Sequence, residues 1–412
     1  QDACPTTELF VGNAGTAARF LSAFVCLGNG VYRLSGVPRM HERPQAALFQ
    51  ALRELGYRVE SEKGNDRLPV KIFNDGKRNF QFLKKVISSG KKSCRVSIEE
   101  SSQFASALLL CAKAGGWKIE AVGENAEESP YVAMTSKLIE AFPKNGGKFQ
   151  IEPDASSGSY FWAVDVLEPF YQGKTIEDIK PENKMNWPIT IANWPNSTWQ
   201  IDTKFPDSIA MFNGSNLYVT TLVASQRGPN WREQIYAEQF PILNPSHLER
   251  SNTPIPSGEF EANVNLITRS RKSDLGDSIM TLVVMASTCF AKIDFFDLGR
   301  LRLQETERVV ALRTELTKCG AKVVEEGDTL TVYPSQLHGA EIETYNDHRM
   351  AMCFAILGLE VPGIKIINPA CVKKTFPNFF QKLAAPPPHG LGATILDAKT
   401  GRKLSHEELF AD

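Results

Sequence analysis

The chain has 412 residues, 42% of them apolar and 23% charged, with a formal net charge of −1. That length holds two or three domains of ordinary size, and the balanced charge gives no reason to expect nucleic acid or an anionic membrane as a partner. No apolar run reaches the roughly 18 residues of a membrane span. The eight cysteines form no CxxC pair and the six histidines are scattered, so a zinc site is not indicated and the cysteines read as reduced and buried.

Five stretches share one pattern: a short polar or glycine-containing opening, an apolar helix, then a strand. The first opens at Asn13, with Gly15 and Thr16 in the turn and Arg19 in the first helical turns. Glycine lets backbone approach a ligand closely, and Asn or Thr can cap the helix. By itself such a turn is weak evidence of function. Arg39 and Arg43 follow in a loop before the next helix, which suits a carboxylate or phosphate and equally a solvated charged loop. The second opening is Ser101–Ser102–Gln103, where plain capping accounts for one serine but not for all three residues.

The third opening follows Asp154 at Ser156, the fourth is at Asp277, and the fifth is at Asn346, leading into Asp347, His348 and Arg349. An aspartate at a helix start is either a cap or a catalytic base. Glu305 and Arg308 stand three residues apart, as a surface ion pair on one helix face or as a chemical pair. Lys373 and Lys374 add cations near the end. Helix starts favour anions, so a repeat that aims several of them one way builds an anion site.

A second helix type, ending at glycine and followed by a strand, occurs at 43–60, 130–152 and 307–334. The alternation predicts an α/β fold made from an internal repeat at unequal intervals, which is a repeated domain element and not a solenoid. Residues 165–270 break the pattern. They are rich in Trp, Asn and Pro, with Trp187, Trp194 and Trp199 close together, and read as an insertion of strands and loops that packs on itself or binds a partner. The string AAPPPHG after residue 384 reads as a linker, and the tail beyond it as a hairpin and short helix. The expected divisions are 1–150 with two repeats, 151–384 with three repeats and the insertion, and 385–412 as linker and tail.

The strings NAGTAAR, RMHERP, SSQF, DASSGSYF, QETER, YNDHRMAM and KKTFPNFF occur in this order. In combination they resemble the enolpyruvyl transferase family, on its shikimate-pathway branch. The resemblance implies two domains of repeated βαβαββ units with helix N-termini lining the substrate cleft. It also implies transfer of the enolpyruvyl group of phosphoenolpyruvate to the 5-hydroxyl of shikimate 3-phosphate, with release of phosphate through a tetrahedral intermediate. No metal or organic cofactor is implied, and neither is a nucleic-acid or membrane partner. The expected location is the cytoplasm.

Carried over residue by residue, the resemblance implies that Arg39, Arg308, Arg349, Lys374 and Gln103 hold phosphoenolpyruvate. Ser101, Ser102, Tyr131 and Ser129 would hold shikimate 3-phosphate. Asp277 would orient or deprotonate the attacking hydroxyl, and Glu305 would manage the proton at the methylene carbon. Asn13, Gly15, Thr16, Arg19, Asp154 and His348 would line the cleft, and His348 and Lys374 would count with Asp277 and Glu305 as catalytic residues. Gln304 stands where the family usually has a lysine that contacts the shikimate moiety, and Glu128–Ser129 stand where it has Ser-Lys. Five of six expected first-type helices are present, so the first repeat is expected to be largely missing and the 412-residue chain to turn over little or not at all. The alternatives are the sister enzyme acting on a UDP-linked amino sugar, which uses a loop cysteine, and an inactive family member that serves as a binding protein. A further alternative is one module of a multifunctional shikimate-pathway polypeptide.

Overall fold

A computed structural model of the protein describes residues 5–74, 92–123, 129–166, 189, 191–209, 267–289 and 291–412. Trp187, Cys4, the strand expected after the Ser156 helix and most of the expected insertion lie outside the described residues. The chain divides into two compact units: residues 1–151 with 197–200 and 300–307, and residues 152–196 with 201–299 and 308–412.

In the first unit, β1 (Thr6–Phe10) leads through α1 (Gly15–Phe24) to β2 (Gly30–Ser35), which pairs parallel with β1 from Thr6↔Val31 to Phe10↔Ser35. A short helix, α2 (Pro38–Glu42), and a longer one, α3 (Ala46–Glu54), precede the hairpin of β3 (Arg58–Ser61) and β4 (Val70–Asn74). The hairpin returns antiparallel onto β2, giving the sheet order β1-β2-β4-β3. Residues 39–42, expected as a loop, are therefore helical. Pro38 at the first helical position has its φ preset for a helix and lacks an N–H that would have no intrahelical partner there.

A second parallel pair follows, β5 (Lys92–Ser97) and β6 (Trp117–Val122), joined by α4 (Ser102–Gly115). Ser101 caps α4 by accepting from the Gln103 N–H, and Gly116 closes it at φ +65°, a conformation that glycine adopts without strain. The helix α5 (Ser129–Ala141) packs on α4 through the Ser106–Thr135 hydroxyl pair at 2.7 Å. Apolar side chains of α1, α3 and α4 and of the sheet, among them Leu34, Phe49, Ile72, Phe104 and Leu108, form one buried core. The strand expected near 148–152 does not form. Gly146 and Gly147 turn the chain at positive φ, Ile151 is 70% exposed, and the segment leads from the first unit into the second.

The second unit repeats the topology. After α6 (Ala155–Trp162), β7 (Ile267–Ser270) leads through α7 (Ile279–Met285) to the parallel strand β8 (Ile293–Phe296). Then α8 (Arg308–Lys318) precedes the hairpin of β9 (Val323–Glu326) and β10 (Thr329–Val332), which pairs antiparallel with β8. The sheet order β7-β8-β10-β9 has the same connections and directions as the first sheet, so the βαβαββ repeat is present in the backbone. A shorter parallel pair, β11 (Glu341–Ile342) and β12 (Lys365–Ile366), encloses α9 (His348–Leu357), and α10 (Phe379–Ala384) follows.

Every residue of α7 is buried, as a sequence apolar at every position but Thr281 requires. Its Thr281 hydroxyl meets Ser159 of α6 at 3.1 Å and the Cys353 thiol of α9 at 3.7 Å, so the three helices pack as one layer. The string expected as a linker is a closed loop: Gly392 N–H donates to Ala385 O at 2.8 Å and Ala393 N–H to Leu383 O at 2.9 Å. The tail folds back as a single antiparallel bridge, Leu396↔Lys403, followed by turns where a short helix was expected. Among the described residues no helix is long and apolar enough to cross a membrane.

Candidate active site

In the first unit the residues singled out from sequence gather at the starts of α1 and α4. Arg19, in the second turn of α1, donates to the Gln103 side-chain Oε1 at 2.9 Å and to Pro44 O at 3.1 Å. The Gln103 amide donates in turn to the Thr16 hydroxyl at 3.1 Å. Arg43 donates to Asn13 O at 3.1 Å and stands 3.6 Å from the Glu305 carboxylate. The Asn13 amide donates to Glu305 O at 3.2 Å. A Cβ at Gly15 would collide with the Arg19 guanidinium and lie 2.7 Å from Arg43 Nη2. Gly15 is thus the residue that lets two guanidiniums close over the start of α1.

Arg39 lies within α2 and donates to Gln304 O at 3.2–3.3 Å and to Arg302 O at 3.2 Å, which fixes the turn ahead of Glu305. Ser101 and Ser102 are buried at the start of α4, while Ser129 is exposed and Tyr131 half-buried at the start of α5. Glu305 and Arg308 do not share a helix face. Glu305 precedes α8 in a turn and meets Arg43, whereas Arg308 begins α8 and pairs elsewhere.

In the second unit three aspartates mark three helix starts. Asp154 caps α6, accepting from Ser156 N–H at 3.0 Å and from the Ser156 and Ser157 hydroxyls. Asp347 caps α9, accepting from Arg349 N–H at 2.9 Å. Asp277 stands just ahead of α7. Arginines join them. Arg308 binds Asp347 through two hydrogen bonds and reaches Asp277 at 3.5 Å, and Arg349 lies 3.6 Å from Asp277 and donates to the Ser156 and Tyr160 hydroxyls. Arg271 donates to Asp277 at 2.9 Å.

Burial pushes the Asp277 carboxyl up, but Arg271, Arg349 and Arg308 outweigh it and hold the group well below the usual carboxylate range. Burial likewise opposes ionisation of Asp154, and Arg349 with the two serines lowers it overall. Burial, helped by Arg349, Arg308 and Lys374, pushes His348 down to about 3 despite the neighbouring Asp347. His348 is therefore neutral at neutral pH and supplies no cation. Lys374 ends a two-turn 3-10 segment, Pro369–Lys374, with its side chain exposed.

Arg271, Tyr160 and Asp202 belong to this cluster by geometry and were not singled out from sequence, and Asp347, named only as part of the fifth opening, was given no role there. Asp347 was legible as the cap before a strong apolar helix. Arg271 and Asp202 act across loops and carry no periodic signal. All described cysteines are buried, and burial pushes the Cys94 thiol up to about 12, so neither it nor Cys111 is an accessible loop nucleophile.

Residues 2–145 and 268–383 match the model of the EPSP synthase (3-phosphoshikimate 1-carboxyvinyltransferase) family. A 3-phosphoshikimate 1-carboxyvinyltransferase of Nostoc punctiforme is 30% identical over 393 residues, covering 91% of this chain and 78% of its own. One of Burkholderia ambifaria is 32% identical over 406 residues, covering 92% of this chain and 80% of its own. The structure of EPSP synthase from Acinetobacter baumannii superposes with a TM-score of 0.51 at 17% identity, over 92% of this chain and 78% of that one, which supports the two-domain α/β fold. With the family motifs in sequence order and the family model matched on both sides of the Trp-rich stretch, the chain belongs to the EPSP synthase family.

Proposed function

We propose that this chain transfers the enolpyruvyl group of phosphoenolpyruvate to the 5-hydroxyl of shikimate 3-phosphate, releasing phosphate. The observation that carries the reading is the Asp277–Arg308–Arg349 cluster: one ionised carboxylate with a guanidinium 3.5 Å from it and a second 3.6 Å from it, at the helix starts of the second unit. Such a site pairs fixed cations for an anionic donor with a carboxylate for a hydroxyl.

Arg308, Arg349 and Lys374, with Arg39 and Gln103, are assigned to the phosphate and carboxylate of phosphoenolpyruvate. Ser101, Ser102, Tyr131 and Ser129 are assigned to shikimate 3-phosphate. Asn13, Thr16 and Arg19 support the start of α1, and Gln304 takes the place of the family lysine as a neutral hydrogen-bonding contact. The hydroxyl oxygen adds to C2 of phosphoenolpyruvate and gives up its proton as a proton adds to the methylene carbon, so that R–OH adds across the double bond. Loss of phosphate and of a proton from the resulting methyl then restores the enol ether. Asp277, stabilised as an anion by three guanidiniums, is a weak base, so its assigned work is to orient the hydroxyl and offset the charge that develops there. Glu305 is assigned the proton at the methylene carbon.

The reading keeps the cytoplasmic location expected from the sequence. Phosphate release that requires both substrates tests it. Release with a UDP-linked amino sugar in place of shikimate 3-phosphate would transfer the chain to the sister reaction, and no release with either acceptor would leave a binding protein.

A further inference from the structure

Part of the Trp-rich stretch read as an insertion is tied to the loop that carries Asp277. Trp194 stands edge-on to Trp162 of α6, with ring centroids 5.8 Å apart at 84°, and its indole N–H donates to Thr203 O at 3.4 Å. The ring lies so close to α6 that a Cβ at Gly158 would come within 2.6 Å of it. These contacts seat a single 3-10 turn, Ile201–Lys204, against the connection between β7 and α7, where Lys204 donates to Ser273 O at 2.9 Å.

Asp202 of that turn is 6% exposed. Its Oδ1 accepts the backbone N–H of Gly276 at 3.1 Å and that of Ser278 at 3.0 Å. Those amides bracket Asp277, so one carboxylate oxygen fixes the backbone on both sides of it. The Asp277 carboxylate is left aimed at Arg271, Arg308 and Arg349. Burial pushes the Asp202 carboxyl up and Asp277 adds to this, while Ser278 and Arg349 draw it down. An acid kept in such a place despite a neighbouring carboxylate is explained by what it holds.

We propose that Asp202 is a positioning residue for Asp277, and that the Trp194–Lys204 segment is thereby part of the catalytic apparatus. The kinetic half of this proposal rests on the carboxyvinyl-transfer reading; the backbone clamp does not. Asp202→Ala removes both acceptor contacts, and Asp202→Asn keeps a carbonyl oxygen in the same place. Hydrogen exchange over 271–285 and phosphate-release kinetics are measured on both, with exchange in the rest of the second unit as the control for folding.

In the alanine variant, exchange at Gly276 and Ser278 rises about tenfold or more while the other core amides keep their protection. Its kcat falls on the order of 10²-fold with little change in KM, as expected when a catalytic group is displaced by about an ångström. Asparagine restores the protection and most of kcat. Unchanged exchange at 276 and 278 in the alanine variant overturns the proposal, as does an asparagine variant no better than alanine, or faster exchange with undiminished kcat. If neither the 412-residue chain nor a form extended upstream releases phosphate, the functional reading fails and the exchange result still decides the clamp.

Discussion

Arg308 and Asp347 are joined by two parallel hydrogen bonds, Nε to Oδ2 at 2.7 Å and Nη2 to Oδ1 at 3.1 Å, with side-chain exposures of 1% and 0%. Arg308 begins α8 and Asp347 caps α9, so this pair locks two helix starts together, and the same guanidinium reaches Asp277 at 3.5 Å. Only a planar fork makes all three contacts.

Arg308→Lys keeps the charge and loses the fork. It is expected to lower kcat/KM by about 10²-fold. Arg308→Met leaves Asp347 buried without its guanidinium and is expected to destabilise the protein by about 3–5 kcal/mol. Urea denaturation and steady-state kinetics check the two. A methionine variant as stable as wild type would show that the pair does not organise the helix starts.

Glu305→Gln preserves size and hydrogen bonding and removes the carboxylate that stands 3.6 Å from Arg43. Turnover should fall by about 10²–10⁴-fold, with KM for both substrates nearly unchanged. Exchange of the phosphoenolpyruvate methylene protons with deuterated solvent should fall in parallel. Retained methylene exchange would assign the proton to another group.

The fold holds His348 at about 3 against 6.5 for the free group, so the unfolded chain binds the proton first as pH drops. The stability this neutral histidine contributes is complete above about pH 6.5 and erodes between about 6.5 and 3. Between pH 7 and pH 5 the wild type should lose on the order of 1–2 kcal/mol more than His348→Asn. Denaturant titrations at the two pH values measure this, and equal losses in both proteins would refute it.

Tyr345 and Asn346 both adopt left-handed backbone, at φ +52° and +54°, immediately before Asp347. Tyr345 is held there by its hydroxyl, which donates to the buried Glu315 carboxylate at 2.7 Å. Tyr345→Phe is expected to cost about 1 kcal/mol. Asn346→Gly should be neutral within about 0.5 kcal/mol, since relief of left-handed strain offsets the added freedom of the unfolded chain. Thermal melts of the two variants separate a hydroxyl anchor from a purely conformational one, and a destabilised Asn346→Gly would contradict the strain argument.

The repeat was legible because apolar periodicity and helix openings are local. Asn13, Ser101 and Asp347 each sit where a polar residue precedes an apolar run, and the two sheets follow the predicted connections. The clamp from Asp202 was not legible. It acts on amides 74 and 76 residues away, and the tryptophans, prolines and asparagines around it mask any period. The segment 148–152 alternates like a strand but has no partner to pair with among the described residues, a tertiary fact that pattern alone cannot supply. Glu305 and Arg308 have helical spacing, yet the helix begins only at Arg308, so the two side chains take different partners.

The most direct measurement is phosphate release from phosphoenolpyruvate with shikimate 3-phosphate as acceptor. It is run on the 412-residue chain and on a form extended upstream in the same reading frame, with a UDP-linked amino sugar as the control acceptor. Carboxyvinyl transfer to shikimate 3-phosphate predicts release in at least the extended form, only with that acceptor, and its loss in Glu305→Gln. No release from either form, or release with the amino sugar alone, would contradict it.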